Sequence, residues 1–136
     1  MNGSPPYQSR CDTLAVPESE KRALVVDDHD EIREAVSLAL EMEGFEVRSA
    51  SDGSAALSVL HGWRPCVIVL DLMMPRMDGW TFRRHQLTSP HARDIPVVVL
   101  TAARQTDEQL RELAARSFIA KPFEIDTLLD AVRELC

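Results

Sequence analysis

Five polar side chains, each directly after a short apolar run, have the types that a reaction centre requires. In chain order they are Asp27 with Asp28, Asp71, Thr101 and Lys121. If the apolar runs are parallel strands, their carboxyl ends meet at one edge of the sheet. Three carboxylates, one hydroxyl and one ammonium would then gather in a single place.

Such a cluster of carboxylates requires a cation to stay ionised. Two carboxylates about 4 Å apart repel by roughly 4 kcal/mol at an effective dielectric constant near 20. Oxygen ligands favour a hard ion, and an incomplete carboxylate set that leaves room for water favours Mg²⁺ over Ca²⁺. With a lysine and a threonine opposite, the site could accept a phosphoryl group. The cation and the lysine would neutralise the phosphoryl oxygens, and one Asp would attack phosphorus.

The elements that must position these residues alternate between strands and helices from residue 22 onward. Short, wholly apolar runs indicate strands covered on both faces, and helical spacing of apolar residues indicates the segments between them. The predicted strands are 23–26, 45–50, 66–70, 97–100 and 118–120, and the predicted helices are 32–39, 54–60, 80–87, 106–114 and 125 to the C-terminus. Five βα units predict a doubly wound α/β sandwich around a parallel sheet.

Two helix ends carry specific signals. Gly44 can terminate the first helix, because glycine readily adopts the left-handed conformation of a helix end. Thr106 begins a Thr-Asp-Glu-Gln sequence that fits a capping box for the fourth helix. The inner face of that helix would carry Leu110, Leu113 and Ala114.

Composition excludes several classes of protein. The chain has 136 residues, a formal net charge of −7 and 45% hydrophobic residues, which suits one domain with a real core. An acidic chain without a basic stripe is a poor candidate for nucleic-acid binding. No apolar run approaches the roughly 20 residues that span a bilayer.

The cysteines and the N-terminal segment bear on location and boundaries. Cys11, Cys66 and Cys136 are odd in number, far apart and without a C-x-x-C pair. This pattern argues against a disulfide framework and a thiolate zinc site, and favours a cytoplasmic protein. Residues 1–20 hold three of the eight prolines and no signal-peptide core. We expect a flexible leader over 1–20, or alternatively a short docking segment, and a single domain over 21–136.

Four motifs, in this order, resemble those of bacterial response regulator receiver domains, the CheY-like modules of two-component signalling. They are VVDD at 25–28, LDLMMPRMDG at 70–79, PVVVLTA at 96–102 and KPF at 121–123. The resemblance covers residues 21–136. It implies a (βα)5 flavodoxin-like sandwich with a five-stranded parallel sheet of order 2-1-3-4-5.

The resemblance also implies the chemistry of the carboxylates. Asp71 would be the phosphoacceptor, taking a phosphoryl group from the phosphohistidine of a sensor histidine kinase or a phosphotransfer protein. Asp27, Asp28 and Asp71 would hold Mg²⁺ together with the backbone carbonyl of Met73.

The remaining motif residues would read out the phosphoryl group. Lys121 would form an ion pair with it and Thr101 a hydrogen bond. Pro122 would follow a cis peptide that aims Lys121 into the site. Phe118 would move inward as Thr101 is drawn toward the phosphate. Since phenylalanine has no hydroxyl to fix an outward position, the switch would be shallower than in tyrosine-bearing relatives.

One departure from the family pattern, and two residues that flank the site, set further expectations. Residues 113–117, LAARS, are shorter by a couple of residues than the usual turn before the aromatic, on the presumed output surface. Met73 and Ala103 would flank the site without a polar group to position water. We therefore expect slow self-dephosphorylation.

The function that follows is signalling rather than enzymatic. We expect a Mg²⁺-dependent phosphoacceptor with weak autophosphatase activity, which acts on a downstream protein or in a phosphorelay, as a monomer or a phosphorylation-dependent dimer. The chain ends where the receiver fold ends, so no output domain is expected within it. The alternative is a receiver fragment of a larger regulator or hybrid kinase.

Other functions remain as rivals. An aspartyl-phosphate phosphatase would need an acid/base Asp where Met73 stands. A flavodoxin-like electron carrier would need a phosphate loop where Asp27 and Asp28 would repel FMN. A receiver that has lost phosphorylation is a third alternative.

Several residues also have purely structural interpretations. Phe118 could be simple core, and Arg83 and Arg84 are interpreted as a solvated helix face. The histidines, also interpreted as solvated, are His29, which beside Asp28 could tune metal access, and His61, His85 and His91.

Overall fold

The computed structural model describes residues 21–101 and 107–136. The predicted leader, residues 1–20, lies outside the described residues, as do Ala103 and the capping-box residue Thr106. The five predicted βα units are confirmed. They are β1 (Arg22–Val26), α1 (Asp30–Met42), β2 (Glu46–Ala50), α2 (Gly53–Leu60), β3 (Val67–Asp71), α3 (Gly79–Thr88), β4 (Val97–Thr101), α4 (Asp107–Leu113), β5 (Ser117–Ala120) and α5 (Ile125–Arg133).

The strands form one parallel sheet of order β2-β1-β3-β4-β5, which confirms the predicted order. β1 and β3 are neighbours, with Val26 paired to Leu70. The end of β3 pairs with β4, and Thr101 at the end of β4 pairs with Ala120 of β5. The residues that follow these four strands therefore emerge at the same edge of the sheet.

The core consists of two apolar layers, one on each face of the sheet. Leu24 and Val26 of β1 point to the layer that contains Phe82 of α3, whereas Ala23 and Val25 point to the opposite layer. Buried residues of α1 and α5 belong to this second layer. Both faces of the central strands are covered, which explains why their sequences are continuously apolar.

The observed helix ends agree with the sequence-based prediction at one position and differ from it at two. Gly44 has φ 97° after α1, as expected. Ala114 does not lie on the inner face of α4, because that helix ends at Leu113 and Ala114 is exposed with φ 50°. α5 ends at Arg133, before the C-terminus that the apolar spacing indicated.

The cysteine interpretation is wrong in one respect. Cys66 and Cys136 form a disulfide, with Cα atoms 5.8 Å apart and a sequence separation of 70 positions. The fold brings the segment before β3 next to the segment after α5, a proximity that spacing along the chain does not reveal.

The interpretation of Arg83 is also wrong. Arg84 is exposed, as expected, but Arg83 is only 5% exposed and points into the protein from α3. Adjacent positions on a helix face different directions, so a surface arginine and a buried one can be neighbours in sequence. Within residues 21–101 and 107–136, no helix has both the length and the apolar character needed to cross a membrane.

Candidate functional site

Residues at the carboxyl ends of β1, β3 and β5 meet at one edge of the sheet. Asp27 and Asp71 are almost completely buried there. The Lys121 ammonium lies between them, with Nζ 3.1 Å from Oδ2 of Asp27 and 3.4 Å from Oδ1 of Asp71. The Lys121–Pro122 peptide is cis, as predicted, and the backbone N–H of Lys121 donates to the carbonyl of Thr101 at 2.9 Å. The structure thus brings together the carboxylates and the lysine that the sequence singled out.

The acidic residues are close enough to share one cation. Asp27, Asp28, His29 and Asp71 each offer a ligand atom, and these atoms lie within 4.8 Å of one another. Two buried carboxylate oxygens, Oδ1 of Asp28 and Oδ2 of Asp71, have no hydrogen-bond partner in the part of the chain that the structure describes. Oδ1 of Asp28 lies 3.3 Å from His29 Nδ1, but without hydrogen-bond geometry. Unpaired buried carboxylate oxygens fit a hard divalent cation such as Mg²⁺.

The surroundings of Asp71 disfavour the ionised form of its side chain. Burial raises the pKa of Asp71 to about 6, and the negative charge of Asp27 adds to this effect, while Lys121 partly opposes it. A lone lysine therefore does not balance the neighbouring carboxylates. A cation or another positive group would lower the cost of keeping Asp71 ionised.

His29 and Arg33 hold Asp27 from the side of α1. The backbone N–H of His29 donates to Oδ1 of Asp27 at 2.9 Å, and its Nδ1 lies 3.2 Å from the same oxygen. The His29 side chain is nevertheless 62% exposed, so the expectation that it is solvated holds only in part. Arg33 donates to the backbone carbonyl of Asp27 at 2.8 Å. Arg33 was not among the predicted site residues, although its position one turn into α1 could have suggested it.

The loop after β3 is anchored by an ion pair that was not predicted from the sequence. Arg76 has φ 63°, and its Nε donates to Oδ2 of buried Asp52 at 2.6 Å. Asp52 also caps α2 by accepting from the Ala55 N–H, and this bond together with Arg76 lowers the pKa of Asp52. The sequence signal for Asp52 was its place before the Gly-Ser start of a helix. Nothing local identified Arg76 as its partner.

The loop after β3 ends at Gly79, where the backbone at the start of α3 lies very close to the backbone of Asp71 and Leu72. A Cβ atom at Gly79 would lie 2.5 Å from the backbone oxygen of Asp71 and 2.8 Å from Cα of Leu72. The Gly79 N–H also donates to the carbonyl of Leu72 at 3.0 Å. Only a residue without a side chain lets α3 begin this close to the end of β3.

The other predicted site residues lie around this centre. The Met73 N–H donates to Oδ1 of Asp71 at 3.4 Å, and the Met73 side chain is largely exposed. Thr101 is partly buried at the end of β4. Phe118 points outward with 38% of its surface exposed, beside a groove that Leu110 and Arg111 also line. Phe118 is therefore not simple core in this conformation.

An apolar groove of about 460 Å³ opens next to the lysine. Its lining comes from α1 and from the segment between β5 and α5, and consists of Ile32, Ala35, Val36, Lys121, Pro122, Phe123 and Ile125. A partner that reaches the acidic cluster from this side would contact apolar side chains on the way.

Comparison with known proteins assigns a family to this arrangement. The family model described as the response regulator receiver domain matches residues 23–133. Among solved structures, the chain is similar to the chemotaxis response regulator CheY4 of Vibrio cholerae, with a TM-score of 0.79 and 30% identity over 85% of this chain and 98% of that one. It is also similar to the receiver domain of Francisella response regulator 1452, with a TM-score of 0.76 and 30% identity, covering 85% of this chain and 95% of that one.

Curated relatives extend beyond the matched region. The chain is 40% identical over 116 residues to the response regulator MprA of Mycolicibacterium vanbaalenii, which covers 84% of this chain and 49% of that protein. It is 35% identical over 116 residues to the DNA-binding dual master transcriptional regulator RpaA of Synechocystis, covering 84% of this chain and 48% of that protein. The chain spans about half the length of these relatives.

Proposed function

Since the chain belongs to the response regulator receiver domain family, with its phosphoacceptor role in two-component signalling, we propose that Asp71 is the residue that accepts the phosphoryl group. One observation carries the proposal. Oδ2 of Asp71 is buried among carboxylates and has no hydrogen-bond partner among the described residues. An oxygen that is unpaired in a site with a neighbouring lysine is ready to form a bond to an electrophile.

The proposed transfer forms one bond and breaks another. Oδ2 of Asp71 attacks phosphorus as the bond between phosphorus and the donor imidazole nitrogen breaks. The donor imidazole carries a proton on its other ring nitrogen, so it keeps the electron pair of the broken bond and leaves as neutral histidine, while Asp71 becomes an aspartyl-phosphate. Lys121 exchanges its contact with the Asp71 carboxylate for an ion pair with the new phosphoryl oxygens, and Thr101 donates a hydrogen bond to these oxygens.

We propose that Asp27, Asp28, Asp71 and the backbone carbonyl of Met73 hold Mg²⁺. When bound, this ion supplies positive charge for the carboxylates and for the phosphoryl oxygens. The anchoring of Asp27 by His29 and Arg33 keeps that carboxylate in place for this purpose.

The proposed donor is the phosphohistidine of a sensor histidine kinase or of a phosphotransfer protein, approaching over the apolar groove next to Lys121. The proposed output is a change around Phe118 that a downstream protein reads, so the chain acts in signalling and has at most weak autophosphatase activity. We further propose that the phosphoryl transfer takes place in the cytoplasm. Reductants there would reduce the Cys66–Cys136 disulfide.

A second proposal concerns the whole protein. Because the chain spans about half the length of its curated relatives, it would also serve as the receiver part of a longer regulator. The phosphoryl chemistry is the same in both cases, but the protein that responds differs.

Incubation with acetyl phosphate tests the phosphoacceptor proposal. We expect intact-mass spectra to show one added phosphoryl group with Mg²⁺, and none with EDTA or in Asp71→Asn. Asp94→Asn, an exposed carboxylate outside the site, is the control and is expected to behave as wild type. Equal phosphorylation of Asp71→Asn would contradict the proposal.

A further inference from the structure

Arg83 is a buried cation that the phosphoryl chemistry does not use. Its Nε donates to the carbonyl of Leu113 at 2.6 Å, and its Nη2 donates to the carbonyl of Ala114 at 3.0 Å. Its Nη1 donates to Oε1 of Gln86 at 2.7 Å. All three of these bonds go to uncharged oxygens.

The two backbone carbonyls belong to the end of α4 and the residue after it. The last carbonyls of a helix have no partner within the helix and carry its partial negative charge, so a cation there is favourable. Ala114 has φ 50°, a left-handed conformation that is unfavourable for a residue with a side chain. Arg83 therefore stabilises a turn that the residue type at Ala114 does not favour.

This turn, residues 114–116, leads directly into β5 and Phe118. The N–H of Arg116 donates to the carbonyl of Val97 at 2.9 Å, and the strand begins at Ser117. The side chain of Phe118 shares its groove with Ala114 and Ala115. The position of the turn thus sets the shape of the groove that Phe118 occupies.

The guanidinium suits this task better than other side chains. Its planar fork can bond two neighbouring carbonyls at once, whereas a lysine offers a single point charge. Burial lowers the pKa of Arg83, which reflects the cost of keeping the cation away from water. Gln86 supports the fork and in turn donates to the carbonyls of Ala92 and Ile95 before β4.

We propose that Arg83 is a positioning residue of the switch, holding the 114–116 turn in the conformation in which Phe118 is exposed. This inference rests on the proposed phosphoacceptor function. In the proposed function, phosphorylation of Asp71 changes the surroundings of Phe118, and the bonds from Arg83 would oppose that change. The restraint on the receiver therefore comes from α3.

A thermodynamic consequence separates this role from simple support of the fold. If Arg83 stabilises the unmodified conformer, its removal shifts the population toward the conformer that binds a phosphoryl group best. The apparent affinity for a phosphoryl mimic then rises, even though stability falls. A residue that only supports the fold would lower stability without raising this affinity.

The experiment titrates the full chain with beryllium fluoride at saturating Mg²⁺ and follows binding by calorimetry. We expect Arg83→Met to bind at least about fivefold more tightly than wild type. Arg84→Met, the exposed neighbour on the same helix, is the matched control and should stay within about twofold of wild type. Arg83→Lys keeps the charge but loses the fork, so its affinity should lie between those of wild type and Arg83→Met. If Arg83→Met does not fold, Arg83→Lys is measured in its place.

Unchanged or weaker binding in the folded Arg83 variants would overturn the role of Arg83, while leaving the phosphoacceptor proposal in place. Absence of binding in wild type would instead overturn the phosphoacceptor proposal, and this inference with it. An equal gain in Arg84→Met would show a general effect of charge and would also overturn it.

Discussion

At the scale of single residues, Asp71 combines reactivity with a cost to stability. Its carboxylate is buried beside Asp27, and one of its oxygens has no partner among the described residues. The pKa of Asp71 is about 6 in the folded protein, above its usual value of 3.8. The folded state therefore binds the proton more tightly than the unfolded state, and stability is lost as pH rises between these values.

This cost predicts a pH-dependent difference between wild type and Asp71→Asn without metal. Below about pH 4 both proteins carry a neutral group, and the difference should be small; above about pH 6 the variant should be more stable by roughly 3 kcal/mol. Urea unfolding in EDTA at several pH values measures the difference. Asp94→Asn should show no such trend, and a constant difference from pH 4 to pH 8 in Asp71→Asn would contradict the account.

The residues at the strand ends could be predicted because each comes directly after an apolar strand. That local relation, together with parallel strands, was sufficient to group Asp27, Asp71 and Lys121. Arg83 could not be separated from Arg84 in the same way, because burial depends on the orientation of α3 against α4. Arg76 escaped prediction for a related reason, since its partner Asp52 lies 24 positions earlier in another loop.

At the scale of elements, the close packing of the start of α3 against the end of β3 controls the geometry of the site. Replacing Gly79 with Ala would place a Cβ atom against the backbone of Asp71 and Leu72. We predict a loss of about 1–3 kcal/mol of unfolding free energy, with slower phosphorylation because the Asp71 backbone must shift. Chemical denaturation and acetyl phosphate kinetics measure the two effects.

Gly62 provides the matched control for this substitution. A Cβ atom there would meet nothing within 4 Å, so Gly62→Ala should leave stability nearly unchanged and phosphorylation normal. Equal behaviour of the two alanine variants would show that the close approach at Gly79 does not matter.

Element order was predictable from hydrophobic periodicity, whereas the ends of the last two helices were not. The apolar spacing includes Ala114 in α4, but the helix ends at Leu113, where Arg83 donates to the carbonyls of Leu113 and Ala114. This contact comes from α3, so no residue within the segment itself signals it. The strand order itself came from the family resemblance rather than from periodicity.

At the scale of the whole molecule, one covalent link joins the middle of the chain to its end. The Cys66–Cys136 disulfide has a sequence separation of 70 positions. A loop of this size is expected to stabilise the oxidised protein by about 4 kcal/mol, mainly by restricting the unfolded chain. Sequence spacing gave no sign of it, because the pairing exists only once the sheet and α5 are assembled.

We therefore predict that Cys136→Ser lowers the free energy of unfolding by about that amount under oxidising conditions and has little effect under reducing ones. Urea unfolding with and without dithiothreitol measures it. Cys11→Ser, outside the described residues, is the control and should match wild type. A loss in Cys136→Ser that persists undiminished after reduction would point to packing rather than to the disulfide.

The central claim is that the carboxyl edge of the sheet captures a phosphoryl group on Asp71. Borohydride trapping tests it most directly, because this reagent reduces an aspartyl-phosphate to homoserine and leaves free aspartate unchanged. After incubation with acetyl phosphate and Mg²⁺, peptide sequencing by mass spectrometry should find homoserine at position 71, and aspartate there when EDTA replaces Mg²⁺. Homoserine at Asp27 or Asp28 instead, or at none of the three positions, would contradict the account.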